Sequence, residues 1–316
     1  MIEKEISVLG LPRLIQGDVD YLGNMGAEFE PETTSLMAAL CEPSAVVFDI
    51  GANIGLTSLA LSEICREGHV VAIEPVPSTF RLLQHNIGAA GVGNVSTINV
   101  AMGEETGMVS MYVNEKNLAS AFILQDGAEA ADIPMAPLDS IVSKLSPGHV
   151  DFIKIDVEGF ELSVLSGGTE TLQRYSPIVM LEMNHWCLNV FRRMSLPDFR
   201  DALLEIFPYI YAVDGGTFLD FTQSKSAGEI YHEHVIGRRF NNLVAGFDNA
   251  KLVEKLSKWQ ASSPAPSASV QADAVSQREM QESDAERRLN AILASSSWKL
   301  TAPIRLCGRL ARALLR

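Results

Sequence analysis

The sequence predicts an α/β fold: a Rossmann-like, mainly parallel sheet with helices on both faces. Three observations carry this. Short apolar runs alternate with helical stretches from Ala45 to about Phe247, the pattern of βαβ units. One such run, VVFDIGANIG at 46–55, passes from a buried strand directly into a glycine turn. Apolar residues make up 47% of the 316, enough to fill a large core.

In chain order, the expected strands are Ala45–Ile50, His69–Glu74, Val95–Ala101, Val150–Asp156, Pro177–Glu182, Tyr209–Val213 and Leu243–Phe247. Helical patterns fill Leu56–Arg66, Ser78–Ala90, Leu138–Leu145, Phe160–Tyr175 and Leu196–Ile206. Gly107–Leu124 reads as an inserted pair of short strands. Residues 1–44 form a segment packing on the core, with a helix at Thr33–Leu40 over the sheet edge. The main domain is expected at 45–258, an Ala/Ser/Pro-rich linker at 259–277, and a helical tail at 278–316.

Composition removes several classes of function. No run of about 18 apolar residues suggests a membrane span. The first twenty residues lack the basic start and apolar core of a signal peptide. Cys41, Cys65, Cys187 and Cys307 form no CxxC, which favours a reducing, cytoplasmic setting without structural zinc. A net charge of −14 argues against nucleic acid as a partner. Residues 298–316 nevertheless hold Lys299, Arg305, Arg309, Arg312 and Arg316 and no acid, a basic end on an acidic body.

The glycine turn departs from a dinucleotide fingerprint. GxGxxG started at Gly51 needs glycines where Asn53 and Leu56 stand. No GxxxxGK[ST] occurs. Asp49, just before the turn, would repel a pyrophosphate but suits a sulfonium and an ammonium. S-adenosylmethionine carries both, and its carboxylate can sit at the N-terminus of the following helix. Gly51 and Gly55 let backbone come close. Glu74, 23 residues past Gly51, ends the second strand near the offset at which an acid meets ribose hydroxyls. Asp49 taken alone could equally be a turn or helix-cap aspartate.

VFDIGANIGLTS, AIEPVP, NVAMG and FIKIDVEGFELSVLSG together resemble the FkbM-type S-adenosylmethionine-dependent methyltransferases, over about residues 20–247. The resemblance implies a seven-stranded class I methyltransferase sheet with one antiparallel strand near the C-terminal end. It implies that Asp49, Gly51, Asn53 and Gly55 wrap the methionine part and that Glu74 holds the ribose, with Ala52 and Pro75 in the same cofactor-binding set. Ala101 would lie beside the adenine.

Two further strands end with unusual polarity, at VDFIKIDVEGFE and IVMLEMNHW. An alcohol is a poor nucleophile near neutrality, so a positioned base should help by about 10²–10⁴-fold. Asp156, Glu158, Glu182 and His185 are the catalytic candidates. Plainer roles exist for each. Asp156 could cap the next helix, Glu158 bond turn amides, Glu182 pair with Lys154 on the neighbouring strand, and His185 sit in an ordinary loop. Asp156, Glu182 and Asn184 also offer oxygens to Mg²⁺, the lesser reading because such acids are common without a metal. His232 and His234 invite a zinc reading as an HxH pair on a strand. A loop or substrate-rim role is preferred for them.

The family resemblance implies hydroxyl O-methylation. ERRLNAILASSSWKLTAPIR resembles a C-terminal segment of bacterial surface-polysaccharide glycosyltransferases and their partner enzymes, which points to a sugar acceptor in O-antigen, capsule or a related glycan. In Pro303–Arg316 four arginines oppose a leucine-rich face. That pattern suggests contact through 298–316 with a glycosyltransferase or with the inner face of the cytoplasmic membrane. The competing readings are a secondary-metabolite O-methyltransferase, a NAD-dependent oxidoreductase on the same sheet, and a non-catalytic scaffold of glycan assembly.

Overall fold

An antiparallel hairpin, β1 (Ile2–Val8) and β2 (Leu11–Gly17), begins the chain. This is a computed structural model, and it describes residues 1–112, 122–123 and 130–263. The linker beyond Ser263 and the basic tail lie outside the described residues, as does most of the second half of the expected insert. The hairpin is followed by α1 (Val19–Asn24) and α2 (Pro31–Leu40). Then come β3 (Val46–Ile50), α3 (Leu56–Ile64), β4 (His69–Ile73), α4 (Pro77–Ala90) and β5 (Val95–Ile98). A small sheet is built from β6 (Ala101–Met102), β7 (Gly107–Tyr112), β8 (Phe122–Ile123) and β9 (Ala130–Ala136). The rest is α5 (Leu138–Leu145), β10 (Phe152–Ile155), α6 (Glu161–Ser166), α7 (Thr169–Tyr175), β11 (Ile178–Glu182), α8 (His185–Arg192), α9 (Leu196–Ile206), β12 (Tyr209–Asp214), β13 (Thr217–Asp220), α10 (Ser224–Val235), β14 (Asn242–Gly246) and α11 (Asn249–Ser262).

The main sheet runs β13-β12-β14-β11-β10-β3-β4-β5. β11, β10, β3, β4 and β5 pair in parallel, and β14 lies antiparallel between β11 and β12. This is the class I methyltransferase sheet that the sequence predicts. An eighth strand, β13, extends its edge through a turn at Gly215 and Gly216, both at positive φ.

Strand alternation sorts the core into two faces. Val47, Ala72, Phe152, Met180 and Val244 meet the hairpin and helices α2, α3, α4 and α11 on one side. Phe48, Ile73, Ile153, Leu181 and Ala245 meet the remaining major helices on the other. Asp49, Lys154, Asp156 and Glu182 share the first parity, so period two alone aims them to one side at the strand ends.

Several sequence expectations are corrected. α2 packs between α3 and α11 on a face of the sheet, not over its edge. The strand expected at 95–101 is cut after Ile98. The Asn99 side chain donates to the Glu74 and Pro75 carbonyls at 2.8 Å, and Ala101–Met102 leaves for the small sheet. The helix expected at 160–175 is two helices. At the Gly167 break a Cβ would fall 2.0 Å from the Gly103 carbonyl oxygen, so the chain turns where only glycine fits. α11 runs through Ser262 with Trp259 fully buried, so the linker does not start at 259. His232 and His234 lie on helix α10 and not on a strand. Residues two apart on a helix do not share a face: His232 is exposed and His234 buried.

Candidate active site

The C-terminal ends of β3, β4, β10 and β11 open into one cleft of about 240 Å³. Open α/β sheets bind ligands at this edge. Tyr21 and Glu30 from the N-terminal segment close one side, and Ala101, Met102 and Met111 from the small sheet close another.

The glycine turn is held by two backbone bonds, from Gly51 N–H and Ala52 N–H to the Ile73 carbonyl, at 3.0 and 2.9 Å. Gly51 sits at φ 83°, where a Cβ would fall 1.8 Å from the Asp156 carbonyl oxygen. Gly55, at φ 98°, begins α3, and a Cβ there would meet Leu83 at 2.8 Å. Both glycines are required by geometry and not merely tolerated. Asn53 also has positive φ, which asparagine accepts. Its N–H donates to Glu74 Oε2 at 3.0 Å, and Val76 N–H donates to Glu74 Oε1 at 2.9 Å. Burial pushes the Glu74 carboxyl up to about 7 against these two bonds. Asn53 Oδ1 is buried and accepts no hydrogen bond among the described residues. Ala52, Pro75 and Ala101 line the same cleft.

Asp49 is placed differently from its expected role. It is fully buried beneath the cleft and does not line it. Ser58 Oγ donates to its Oδ2 at 2.5 Å, and Lys154 Nζ stands 3.8 Å from its Oδ1. Lys154 is directly opposite Asp49 in the parallel register of β10 on β3, which accounts for the pairing. Burial raises the Asp49 carboxyl, and Lys154 and Ser58 oppose that rise. Lys154 also donates to Asp156 Oδ2 at 3.0 Å. Burial works against its ammonium, yet Asp156 and Asp49 hold it well above the usual lysine range.

Asp156, Glu158 and Glu182 converge, each with an oxygen within 4.8 Å of the others. Glu158, at φ 53°, accepts at Oε2 from Asn184 Nδ2 and from the Cys187 thiol, both at 3.0 Å. Burial and then Asp156 raise its carboxyl. Glu182 lines the cleft, and its Oε2 is buried without a hydrogen-bond partner among the described residues. It does not make the ion pair with Lys154 that its strand position allowed, because the register sets Lys154 beside Met180. Burial, then Asp156, Glu158 and Glu161, push the Glu182 carboxyl well above the usual carboxylate range.

His185 does not join this group. It starts α8 outside the cleft lining, and its Nδ1 lies 3.1 Å from His234 Nε2, while His234 Nδ1 reaches the Arg239 carbonyl at 3.2 Å. Asn184 does not fit as a metal ligand. Its Oδ1 accepts from Cys187 N–H to cap α8, and its Nδ2 faces Glu158. Asp156, Glu158 and Glu182 are close enough to share a divalent ion, but Lys154 already stands against Asp156 as a competing cation.

Sequence reasoning missed Glu161 and Tyr21, and it named Lys154 only as a partner for Glu182, not for Asp49 and Asp156. Lys154 carried a signal, a lysine inside an apolar strand. Glu161 is buried with Oε1 accepting from Gly159 N–H at 3.0 Å, its carboxyl pushed by burial up to about 7. It looked like an ordinary first-turn glutamate. Tyr21 reaches the cleft from α1 only through tertiary placement, which no local pattern announces.

A family model described as the methyltransferase FkbM domain matches residues 49–211. Among curated relatives, the hexuronic acid methyltransferase AglP of Haloferax volcanii is 28% identical over 152 residues, covering 48% of this chain and 61% of that protein. The AMB antimetabolite synthetase AmbE of Pseudomonas aeruginosa is 28% identical over 176 residues, 44% of this chain and 8% of that protein. The chain thus spans less than two thirds of either relative. Among solved structures, methyltransferase FkbM from Methylobacillus flagellatus is 23% identical with a TM-score of 0.40, over 54% of this chain and 40% of that one.

Proposed function

Because the chain belongs to the FkbM methyltransferase family, we propose that its cleft binds S-adenosylmethionine and serves transfer of the methyl group to a hydroxyl oxygen of a sugar. The observation that carries this reading is convergence. The Gly51–Gly55 turn, Glu74 and three carboxylates from two further strand ends all face one cleft.

The residues present fit the cofactor. Gly51 lines the cleft where the ends of β3 and β10 approach too closely for any side chain. Asn53 Oδ1 is an acceptor waiting for a donor. Glu74 is fixed by two backbone N–H groups with its remaining lone pairs available for ribose hydroxyls. The unpaired N–H groups at the start of α3 suit a carboxylate. When bound, S-adenosylmethionine supplies an electrophilic methyl carbon on a sulfonium.

The chain's own residues align and deprotonate the acceptor. Alignment in a closed cleft can contribute about 7–11 kcal/mol. Glu182 takes the hydroxyl proton: its Oε2 is buried without a hydrogen bond among the described residues, and burial and then its acidic neighbours raise its basicity. Lys154 holds the Asp156 side chain in place at the neighbouring strand end.

The sugar acceptor is supported by the hexuronic acid methyltransferase relative and by the likeness of the C-terminal segment to surface-polysaccharide glycosyltransferases. On this reading the enzyme works in the cytoplasm on O-antigen, capsule or a related glycan, with 298–316 contacting a glycosyltransferase or the membrane. No helix among the described residues is long and apolar enough to cross a membrane. Family membership removes the oxidoreductase alternative, and the open cleft with its acids disfavours a scaffold. Mass spectrometry of the host's surface glycan after gene deletion tests the acceptor. One methyl increment should vanish from one sugar, and an unchanged glycan overturns the reading.

A further inference from the structure

Residues 183–195 and 234–241 hold four arginines, two histidines and no acid, in a chain of net charge −14. The fold brings these two segments together. His185 and His234 meet at 3.1 Å, and Met183 N–H donates to the Asn241 carbonyl at 2.7 Å. On either side of this junction stand apolar side chains that remain about half exposed, with the Trp186 ring meeting Phe191 edge-on. Trp186 and Val190, one turn apart on α8, are 56% and 54% exposed, and Val235 and Ile236, at the end of α10, are 45% and 53% exposed.

The arginines divide by role. Arg192 turns inward, its Nε donating to the Gly159 carbonyl and its guanidinium over the Phe160 ring. Arg239 pairs with Asp214 and Glu233, and the exposed Asp198 at the edge of the face is held by Ser195. Arg193 and Arg238 are exposed and form no ion pair among the described residues; both sit at positive φ just past the ends of their helices.

We propose that this face docks on an anionic lipid bilayer, with Trp186, Val190, Val235 and Ile236 seated in the interface and Arg193 and Arg238 against phosphate headgroups. The chemistry is that of interfacial anchors: an amphipathic ring at headgroup level, aliphatic side chains below it and arginines beside them. A basic, apolar island on an acidic body is complementary to a negative lipid surface. The net negative charge of the rest of the chain favours docking through this face. α8 is capped by Asn184, which donates to Glu158 in the cleft, so docking holds the cleft near the bilayer. The inference does not depend on which acceptor is methylated.

The test is co-sedimentation of the full chain with mixed phosphatidylcholine–phosphatidylglycerol vesicles and with pure phosphatidylcholine vesicles. The variants are the double substitutions Trp186→Ser with Ile236→Ser and Arg193→Glu with Arg238→Glu, with thermal melting as the check on folding. The wild type should pellet with the anionic vesicles, and each variant should bind at least about tenfold more weakly. Residues 298–316 are intact in both variants, so a loss identifies this face. The proposal is overturned if the wild type stays in the supernatant or if both folded variants pellet like the wild type. It is also overturned if light scattering shows a wild-type dimer that the variants convert to monomer, since the face would then join two copies.

Discussion

The carbonyl oxygen of Asp156 stands where a side chain on Gly51 would begin, 1.8 Å from the ideal Cβ position. Two strand ends at the cleft can thus approach this closely only because Gly51 carries no side chain. Gly51→Ala would force a positive φ on alanine and drive the two strand ends apart. We expect a loss of about 2–4 kcal/mol, read as a lower midpoint in denaturant, together with loss of S-adenosylhomocysteine binding.

Glu74 titrates near the middle of the physiological range, because burial pushes its carboxyl up to about 7. An unfolded glutamate loses its proton near 4.5, so between these values the folded, empty protein holds the extra proton. Raising pH through that window therefore costs stability, and the empty protein should melt at a higher temperature near pH 5 than above pH 7. Accepting ribose hydroxyls favours the carboxylate. S-adenosylhomocysteine should accordingly bind more tightly as pH rises through about 7, with proton release, and Glu74→Gln should flatten that dependence. Calorimetry in buffers of different ionisation enthalpy measures both.

Glu182→Gln keeps the shape of the cleft and removes the proposed proton acceptor. We expect kcat to fall by about 10²–10⁴ with KM for the methyl donor little changed. Burial and then the acids around Glu182 raise its carboxyl, so wild-type kcat should climb from neutral into alkaline pH as the base form appears. The variant should lose this climb. A pH–rate profile decides.

His185 supplies the contrasting case. Its ring bond is to His234, outside the cleft. His185→Ala should cost about 1 kcal/mol of stability and leave kcat within about threefold, far from the loss expected for a general base. Single-turnover rates alongside melting curves separate the two effects.

Much of this site was legible because local rules and global fold agree there. The strand–turn–helix reading of 46–64 holds because apolar period, positive-φ glycines and a helix start all point one way. Asp156, Glu158 and Glu182 were legible as polar ends of buried strands. Asp49 was misplaced because a sequence does not show depth: only the register opposite Lys154 puts it under the cleft floor. His185 looked like a base because its partner His234 lies 49 residues away on a helix that had read as a strand or loop. The hairpin at 2–17 escaped notice because its pattern is weak and its burial comes from packing on α3 and α4.

The central claim is that the Gly51–Gly55 turn and Glu74 hold S-adenosylmethionine. Isothermal calorimetry of the purified full chain with S-adenosylhomocysteine and, separately, NAD tests it most directly. Saturable one-to-one binding of S-adenosylhomocysteine that is lost in Gly51→Ala, with no heat from NAD, is the predicted result. No S-adenosylhomocysteine binding to the folded wild type, or equal binding of NAD, would contradict it.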